Sequence, residues 1–555
     1  MRLLIIEASG KIPLLNNILK NDKDLSDIEV IATKGQLYGL PKKELGINIE
    51  TLEEDKIIRN KKTFSFIESK ILQSSEIFLM CDNDVIGEQI CRDIIDAFNI
   101  EDKYHRVRIS NLSKNEVINK IKDSKGNKID KYWCQESDAR RILNRLIGYS
   151  KRETDIDRAS PLGRVTSPLM KLVEDIPNKQ LKLSLHGENN NIKLISRLYV
   201  KQQSDIDTID KILKKYLSNN SVNENKESIN MNINYLNCSD SLMLLAKNMN
   251  IDIKSSEEIL QKSYEKGLIS YFRTPSRNLS KEEKIESRKI WDKYNAIKKQ
   301  KVDEIDYLEI KSNDPHSCVH PISDKIPLYI KEDNYLDDYI NASSIISNRH
   351  FIKDIFEDKD SFKYSYNIEL KEDDYNCLLE SGLVLINNII EFKSFSYKKG
   401  IQESFYDEDR EKFVTKNSFN NANKEIFKLE NLSLDIMLTK YMNDYNIGKP
   451  STYGYHASNV SSYFNKKWEL NGLGKNGLRL ANNLSKKLLD KNSVYETEKI
   501  LEDKKLNVLE KVEKCLKVYD INIDNLGVNY NNDIRNTQKY IKDIDSNYDK
   551  GEFTI

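Results

Sequence analysis

Three sets of residues have the types and spacing to do chemistry. Glu7 and Lys11 stand in Ile6-Glu7-Ala8-Ser9-Gly10-Lys11, directly after the apolar run Leu3-Leu4-Ile5-Ile6, and Asp82-Asn83-Asp84 follows a second apolar run, Ile77 to Cys81. Two aspartates at i, i+2 leaving a buried strand can converge on one hard cation, because Mg²⁺ takes oxygen ligands and keeps several waters. A glutamate at a neighbouring strand end can complete that set, and a lysine beside it suits a phosphate or a proton transfer to a leaving oxygen. The same aspartates equally suit an Asx-turn and a helix cap, the commonest use of Asp after a strand.

The second set is Lys266-Gly267-Leu268-Ile269-Ser270-Tyr271-Phe272-Arg273-Thr274-Pro275-Ser276-Arg277-Asn278-Leu279-Ser280. A tyrosine oxygen can attack a phosphodiester when a cation holds the phosphate, and the fork of Arg273, two residues on, can do that. The chain has 29 tyrosines, so a half-buried strand tyrosine is the plain alternative. Residues 261–300 hold 11 Lys/Arg against 5 Asp/Glu, a surplus that a solvated charged helix also explains. The third set is Arg140, Arg141 and Arg145 in Ala139–Tyr149, with Arg164 in Gly163-Arg164-Val165-Thr166-Ser167-Pro168. Arg141 and Arg145 at i, i+4 share a helix face that can grip successive phosphates or pair with Glu136 and Asp138.

The elements that must position these groups are α/β at the start. Leu3–Ile6, Ile28–Thr33 and Ile77–Cys81 read as strands buried on both faces, with helical spacing through Leu14–Leu19 and Ile90–Ala97. Alternating strands and helices predict a mainly parallel sheet with its site beyond the C-terminal strand ends, where Glu7 and Asp82 stand. Ser137–Val173 reads as helical, Leu181–Asn237 as strands with an Asn/Ser/Lys-rich loop at Ser218–Ser228, Ser239–Lys266 and 281–304 as helices, the stretch to about 440 as strands and polar turns, and 451–520 as largely helical. The last 35 residues read as a poorly packed tail.

At 555 residues, the chain is too long for a single core. Lys+Arg and Asp+Glu both number 88, so nucleic acid is not coated through bulk charge, although local basic patches remain open. Mean hydropathy is −0.64 and no run of about 18 apolar residues exists, so no membrane partner and a cytoplasmic location are expected. The seven cysteines form no CxxC pair, which argues against zinc ribbons.

Together the blocks resemble the type IA DNA topoisomerase family in the family's own order. Leu4-Ile5-Ile6-Glu7 with Lys11, Ala32–Pro41 and Cys81–Glu88 are similar to its Toprim domain. Ala139–Tyr149 and Gly163–Ser167 resemble its arginine helix and GRVQS segment, Lys266–Ser280 its active-site block, and Gly448-Lys449-Pro450-Ser451-Thr452-Tyr453 its GRPSTY signature with lysine for arginine. The resemblance implies a multidomain α/β plus α+β fold, a Toprim domain followed by a toroidal core. Its segments would be 1–125 (Toprim), 126–180 and 441–500 (DNA-binding gate), 181–237 and 336–440 (arch), 238–335 (tyrosine domain) and 501–555 (charged helix and polar tail).

The implied activity is ATP-independent strand passage through a 5′-phosphotyrosine, relaxing or unlinking single-stranded or underwound DNA, by a monomer. Tyr271 would be the nucleophile, Arg273 the phosphate-binding cation, Glu7 the proton-handling carboxylate and Lys11 the group assisting the leaving oxygen. Glu7, Asp82 and Asp84 would hold Mg²⁺ or Mn²⁺, with no zinc. Arg140, Arg141, Arg145, Arg164, Ser167, His316, Ser451 and Thr452 would contact DNA. The chain departs from the family pattern at Ile86, where a third Toprim carboxylate is usual, at Pro275 for an acid, and at Asn144, Gln36 and Thr166. The departures at Ile86 and Pro275 leave open a second reading, a catalytically weak relative that binds and bridges single strands.

Overall fold

Leu3, Leu4, Ile5 and Ile6 are all fully buried, because the strand Arg2–Ile6 is central in a four-stranded sheet whose two faces are both covered. In the computed structural model the order is Ile28–Ala32, Arg2–Ile6, Glu76–Leu79, Tyr104–Arg106, all parallel. The structure describes residues 1–522 except 43, 151, 176–180, 190–191, 201–204, 218–224, 230–233, 298–316, 327–336, 357–360, 386, 400–401, 408–411, 416–426, 431–432 and 466–467. Parallel neighbours require crossovers, and the helices Ile12–Lys20, Lys61–Leu72 and Val85–Phe98 make them. The register pairs Ile5 with Leu79, so Glu7 and Asp82 leave adjacent strand ends at one edge of the sheet.

The two sheet faces bury different cores. Leu3, Ile5, Ile31, Ile77 and Leu79 pack with Ile90, Ile94 and Ile95 of the helix Val85–Phe98. Leu4, Ile6, Val30 and Phe78 join a larger core that runs on through Leu260, Tyr264, Ile269, Tyr271 and Phe272. The tyrosine segment is therefore held by apolar burial against the N-terminal domain.

The stretch Ser137–Val173 resolves into Lys131–Tyr149, Asp155–Ala159 and Thr166–Glu174. Ser239–Lys266 is two helices, Cys238–Met249 and Ile253–Glu265, because Asn250 adopts a left-handed φ of 55° and Asp252 caps the second helix. The helix Asp338–Phe356 was hidden in a stretch read as strands and turns. Its buried face carries Ser343, Ser344 and Ser347, and the hydroxyls of Ser343 and Ser347 donate to the carbonyls of Tyr339 and Ser343 four residues back. Serines in place of apolar residues erase the period on which the reading depends. Asn225–Ile229, the end of the expected loop, pairs as a strand.

Strands from two distant stretches build one nine-stranded sheet. Its main path runs Lys412–Thr415, Gln402–Asp407, Ile389–Lys399, Ile192–Val200, Leu181–Asn189, Phe427–Glu430, with Ser361–Glu369 joining Ile389–Lys399 to Asn225–Ile229. The helices Lys491–Glu502 and Val508–Val518 pack on the long helix Lys131–Tyr149. Residues 523–555, most of the expected tail, lie outside the described residues.

Candidate active site

The Asp82-Asn83-Asp84 turn is shaped from behind by a residue the sequence does not advertise. Arg106, fully buried, donates to the carbonyls of Leu79, Cys81 and Val107 through Nη1 and to that of Asp82 at 2.9 Å through Nη2. Its Nε donates to Glu88 Oε1 at 2.8 Å, and the backbone N–H of Asp130 donates to the other oxygen of Glu88. Glu88 is thus an anchor in the domain's interior, and Ile86 packs against the apolar core. Gly87 is required by close approach, since a Cβ there would overlap the Asp82 carbonyl. Asp84 does cap the helix Val85–Phe98, accepting from Gly87 N at 2.8 Å.

The same Asp84 reaches across to the tyrosine segment. The Tyr271 hydroxyl donates to Asp84 Oδ2 at 2.7 Å, and the Tyr271 backbone N–H donates to Ser110 O at 3.1 Å. Lys11, 2% exposed, pairs with Asp82, and its ammonium lies 4.6 Å from the centroid of the Tyr264 ring. Tyr264 meets Tyr271 edge-on at 5.3 Å. Tyr264 is a site residue that sequence reasoning missed; its place seven residues before Tyr271, one face of a helix leading to the segment, was the available signal. Arg273 donates from Nε to Glu257 Oε1 at 3.2 Å and its guanidinium sits 4.9 Å from the Phe272 ring. Glu7, Lys11, Asp82, Asp84, Tyr271 and Arg273 are therefore assembled at one place.

The charges there are unbalanced. Burial, followed by the nearby Asp82 and Asp84, pushes the Glu7 carboxyl up to about 8 from an ordinary 4.5, with Lys11 and Arg273 opposing. Burial raises the Tyr271 hydroxyl well above its ordinary value, and the two aspartates add to it. The Arg273 guanidinium is burdened by burial, but Tyr271, Glu257, Asp82 and Asp84 more than offset that and hold it firmly charged. Glu7, Asp82 and Asp84, the three carboxylates expected to hold a cation, stand together here, although among the described residues no three His, Cys, Asp or Glu side chains form a group able to hold a metal unaided. Lys11 sits on Asp82 and the Tyr271 hydroxyl on Asp84. The donors still fit Mg²⁺ in its usual manner, one or two carboxylates with water and phosphate completing the shell, and the Glu7 shift reports the crowding that a cation would relieve.

The arginines occupy a second cluster. Glu498, fully buried on the helix Lys491–Glu502, accepts from Arg140 Nη1 at 3.0 Å and from Arg164, and forms ion pairs with Arg140 Nη2 at 2.7 Å and Lys449 at 3.5 Å. Arg164 also donates to Asn144 at 2.7 Å, and Lys449 pairs with Glu502. These three cations hold the Glu498 carboxyl far below the usual range, although burial alone would raise it. His456, half-buried, is lowered to about 4 by burial and by Arg164.

Arg141 and Arg145 do share a face, but that face is turned inward. Arg141 pairs with Glu54 and Asp138, while Arg145 donates to the carbonyls of Pro41, Glu44 and Leu45. Ser167 is buried and accepts from Gly163 N at 3.2 Å, a turn-closing role. Thr452 Oγ1 bridges the backbone of Lys449, accepting at 3.3 Å and donating at 2.9 Å, beside a half-buried Ser451. His316 lies outside the described residues.

Two family models match this chain, one over each of two successive stretches. The family model described as DNA topoisomerase matches residues 128–504, and the Toprim domain model matches residues 3–112. DNA topoisomerase 1 of Campylobacter jejuni subsp. jejuni serotype O:2 is 29% identical over 184 residues, which is 31% of this chain and 25% of that protein. DNA topoisomerase 1 of Mycoplasma pneumoniae is 27% identical over 201 residues, 31% of this chain and 27% of that protein. The matched stretch thus spans about a quarter of each relative's length. Full-length topoisomerase I from Thermotoga maritima has a similar fold, with a TM-score of 0.63 at 17% identity over 94% of this chain and 90% of that one. No helix among the described residues is long and apolar enough to cross a membrane.

Proposed function

Given that the chain belongs to the DNA topoisomerase family, with a Toprim domain at its N-terminal end, we propose that it is a type IA enzyme that cuts and reseals one DNA strand through Tyr271. The observation that carries this reading is the Tyr271 hydroxyl on Asp84 at 2.7 Å, with the Lys11–Asp82 pair and Arg273 around it. The Tyr271 oxygen attacks phosphorus, a new Oη–P bond forms, and the bond from phosphorus to the 3′-oxygen breaks. The hydroxyl proton passes to the carboxylate it already faces, and the departing 3′-oxygen takes a proton from Glu7, protonated below about pH 8, with Lys11 beside it. Arg273 holds the phosphate oxygens as charge develops on them. Asp82 and Asp84, joined by Glu7 once it has given up its proton, would hold Mg²⁺ or Mn²⁺, which supplies charge neutralisation at the phosphate. The bond energy stays in the phosphotyrosine, so resealing is the same exchange reversed and needs no ATP.

Lys449 and the Pro450-Ser451-Thr452 turn form the surface proposed to take the single strand, with Arg140 and Arg164 shaping it from behind through buried Glu498, as a monomer acting on single-stranded or underwound DNA in the cytoplasm. Arg141 and Arg145 would act on that strand indirectly, by fixing the 41–54 loop to the arginine helix. The test uses 5′-labelled and 3′-labelled oligonucleotides with wild type and Tyr271→Phe, with and without Mg²⁺, trapped in denaturant. Label on the protein from the 3′-labelled strand only, absent in Tyr271→Phe, is the expected result. Intact oligonucleotide binding with no adduct under any condition would replace this reading with the second one, a binding and bridging relative. Tyr271, only 1% exposed, is the observation favouring that alternative.

A further inference from the structure

We propose that Glu257 is the positioning residue for Arg273, fixing the guanidinium through Nε so that both Nη groups are left for the scissile phosphate. The proposal rests on the type IA reading above. From Tyr271 to Lys281 the sequence contains no acid, and the position four residues after the tyrosine is Pro275. The two arginines of this stretch nevertheless each find a carboxylate, and they use it differently. Arg277 is gripped in a fork by Asp240, Nε and Nη2 each donating at 2.9 Å, which commits its plane to the protein. Arg273 gives Glu257 only its Nε, at 3.2 Å, and its Nη groups make no hydrogen bond among the described residues.

Glu257 is itself held from three sides. It rises from the helix Ile253–Glu265, accepts from Arg273 Nε, and has Gly454 closing behind it. A Cβ at Gly454 would overlap Glu257 Oε2. Gly454 lies in the first turn of the helix Tyr453–Ser461, directly after the Pro450-Ser451-Thr452 turn. The carboxylate thus ties the arginine beside the nucleophile to the turn proposed to hold the strand. A free arginine side chain samples many rotamers; a carboxylate on Nε, with the Phe272 ring under the plane, removes part of that freedom before the phosphate arrives. Glu257 touches neither phosphate nor nucleophile, so its effect belongs to the rate of the chemical step and not to strand affinity.

The test measures single-turnover cleavage of a 3′-labelled oligonucleotide and, separately, its dissociation constant, for the full chain and for Arg273→Ala, Glu257→Ala, Glu257→Gln, Gly454→Ala and the double Glu257→Ala/Gly454→Ala. Glu257→Ala is expected to slow cleavage about tenfold, less than Arg273→Ala, with affinity held within about twofold. Glu257→Gln, which keeps an acceptor, recovers most of the rate. Gly454→Ala favours the helix, so it folds at least as well as wild type, yet it displaces the carboxylate and slows cleavage in the same way. The double variant is no slower than Glu257→Ala, because no carboxylate remains to be displaced. Wild-type cleavage by Glu257→Ala, an affinity loss that accounts for its rate, or independent additive losses in the double variant would each overturn the assignment of Glu257 alone. A wild-type chain that forms no adduct overturns the type IA reading and this proposal with it.

Discussion

The tyrosine site and the Glu498 cluster use the same kinds of side chain to opposite effect. Around Glu498 the cations Arg140, Arg164 and Lys449 meet Glu136, Glu498 and Glu502, and the central carboxyl is driven far below its ordinary value. Around Tyr271 the carboxylates of Glu7, Asp82 and Asp84 crowd one another, and Glu7 is driven up to about 8. A balanced buried cluster is finished as it stands and fixes the geometry of the chain. An unbalanced one suits the cation and phosphate proposed for it, and such an imbalance marks candidate chemistry.

The widest expected separation between the two regions is in stability. Glu498→Ala leaves the buried Arg164 without a counter-charge, so it should cost about 3–5 kcal/mol, read as a lower unfolding midpoint in urea. A midpoint unchanged from wild type would mean the cluster is solvated and the contrast false. Asp84→Asn, by contrast, keeps the helix cap and reduces carboxylate crowding. It should leave the melting temperature unchanged while covalent-adduct formation falls about a hundredfold, worth about 2.7 kcal/mol at the transition state. A variant that melts early and still forms adduct would reverse the assignment of the two regions.

The pH dependence of stability should run in opposite directions. Glu7 has a folded value of about 8 against 4.5 unfolded, so the folded chain binds more protons between them and stability is lost as pH rises from 4.5 to 8. Glu7→Gln or Mg²⁺ should flatten that slope. His456 is lowered to about 4 from 6.5, so its contribution is present above 6.5 and lost as pH falls toward 4, and the lowered Glu498 adds a loss below 4.5. Unfolding midpoints of wild type, Glu7→Gln and His456→Gln across pH 4 to 9 would show both limbs; a Glu7→Gln profile parallel to wild type would remove the claim of crowding. The smallest effect is expected at Thr452, whose hydroxyl closes a short half-buried turn. Thr452→Ala should lower stability by no more than about 1 kcal/mol and weaken oligonucleotide binding a few-fold, measured by fluorescence anisotropy.

Legibility in the sequence followed locality. The parallel sheet was readable because Leu3–Ile6 and Ile77–Leu79 are short apolar runs, and buried parallel strands produce that signature. Glu7 and Asp82 could be placed at its edge for the same reason. Tyr271, Arg273 and the arginines were visible as residue types at short spacings. The helix Asp338–Phe356 was not readable, since its serines satisfy their own hydroxyls along the helix and leave no apolar period. The pairing of side chains was beyond reach as well. Glu54 with Arg141, Glu498 with Arg140, Glu257 with Arg273 and Arg106 with the carbonyls around Asp82 join positions from 16 to 358 residues apart.

Residue types near one another in the chain therefore determined which groups are chemically competent and which strands carry them. Only the tertiary structure decided which of those groups are already satisfied. Arg141 and Arg145 pair with a loop about a hundred residues away, whereas Arg273 gives only its Nε to Glu257. The physical reason is that the charge and donors of a side chain are local properties. Desolvation and pairing, which set whether that charge is available, depend on everything the fold brings within a few ångströms.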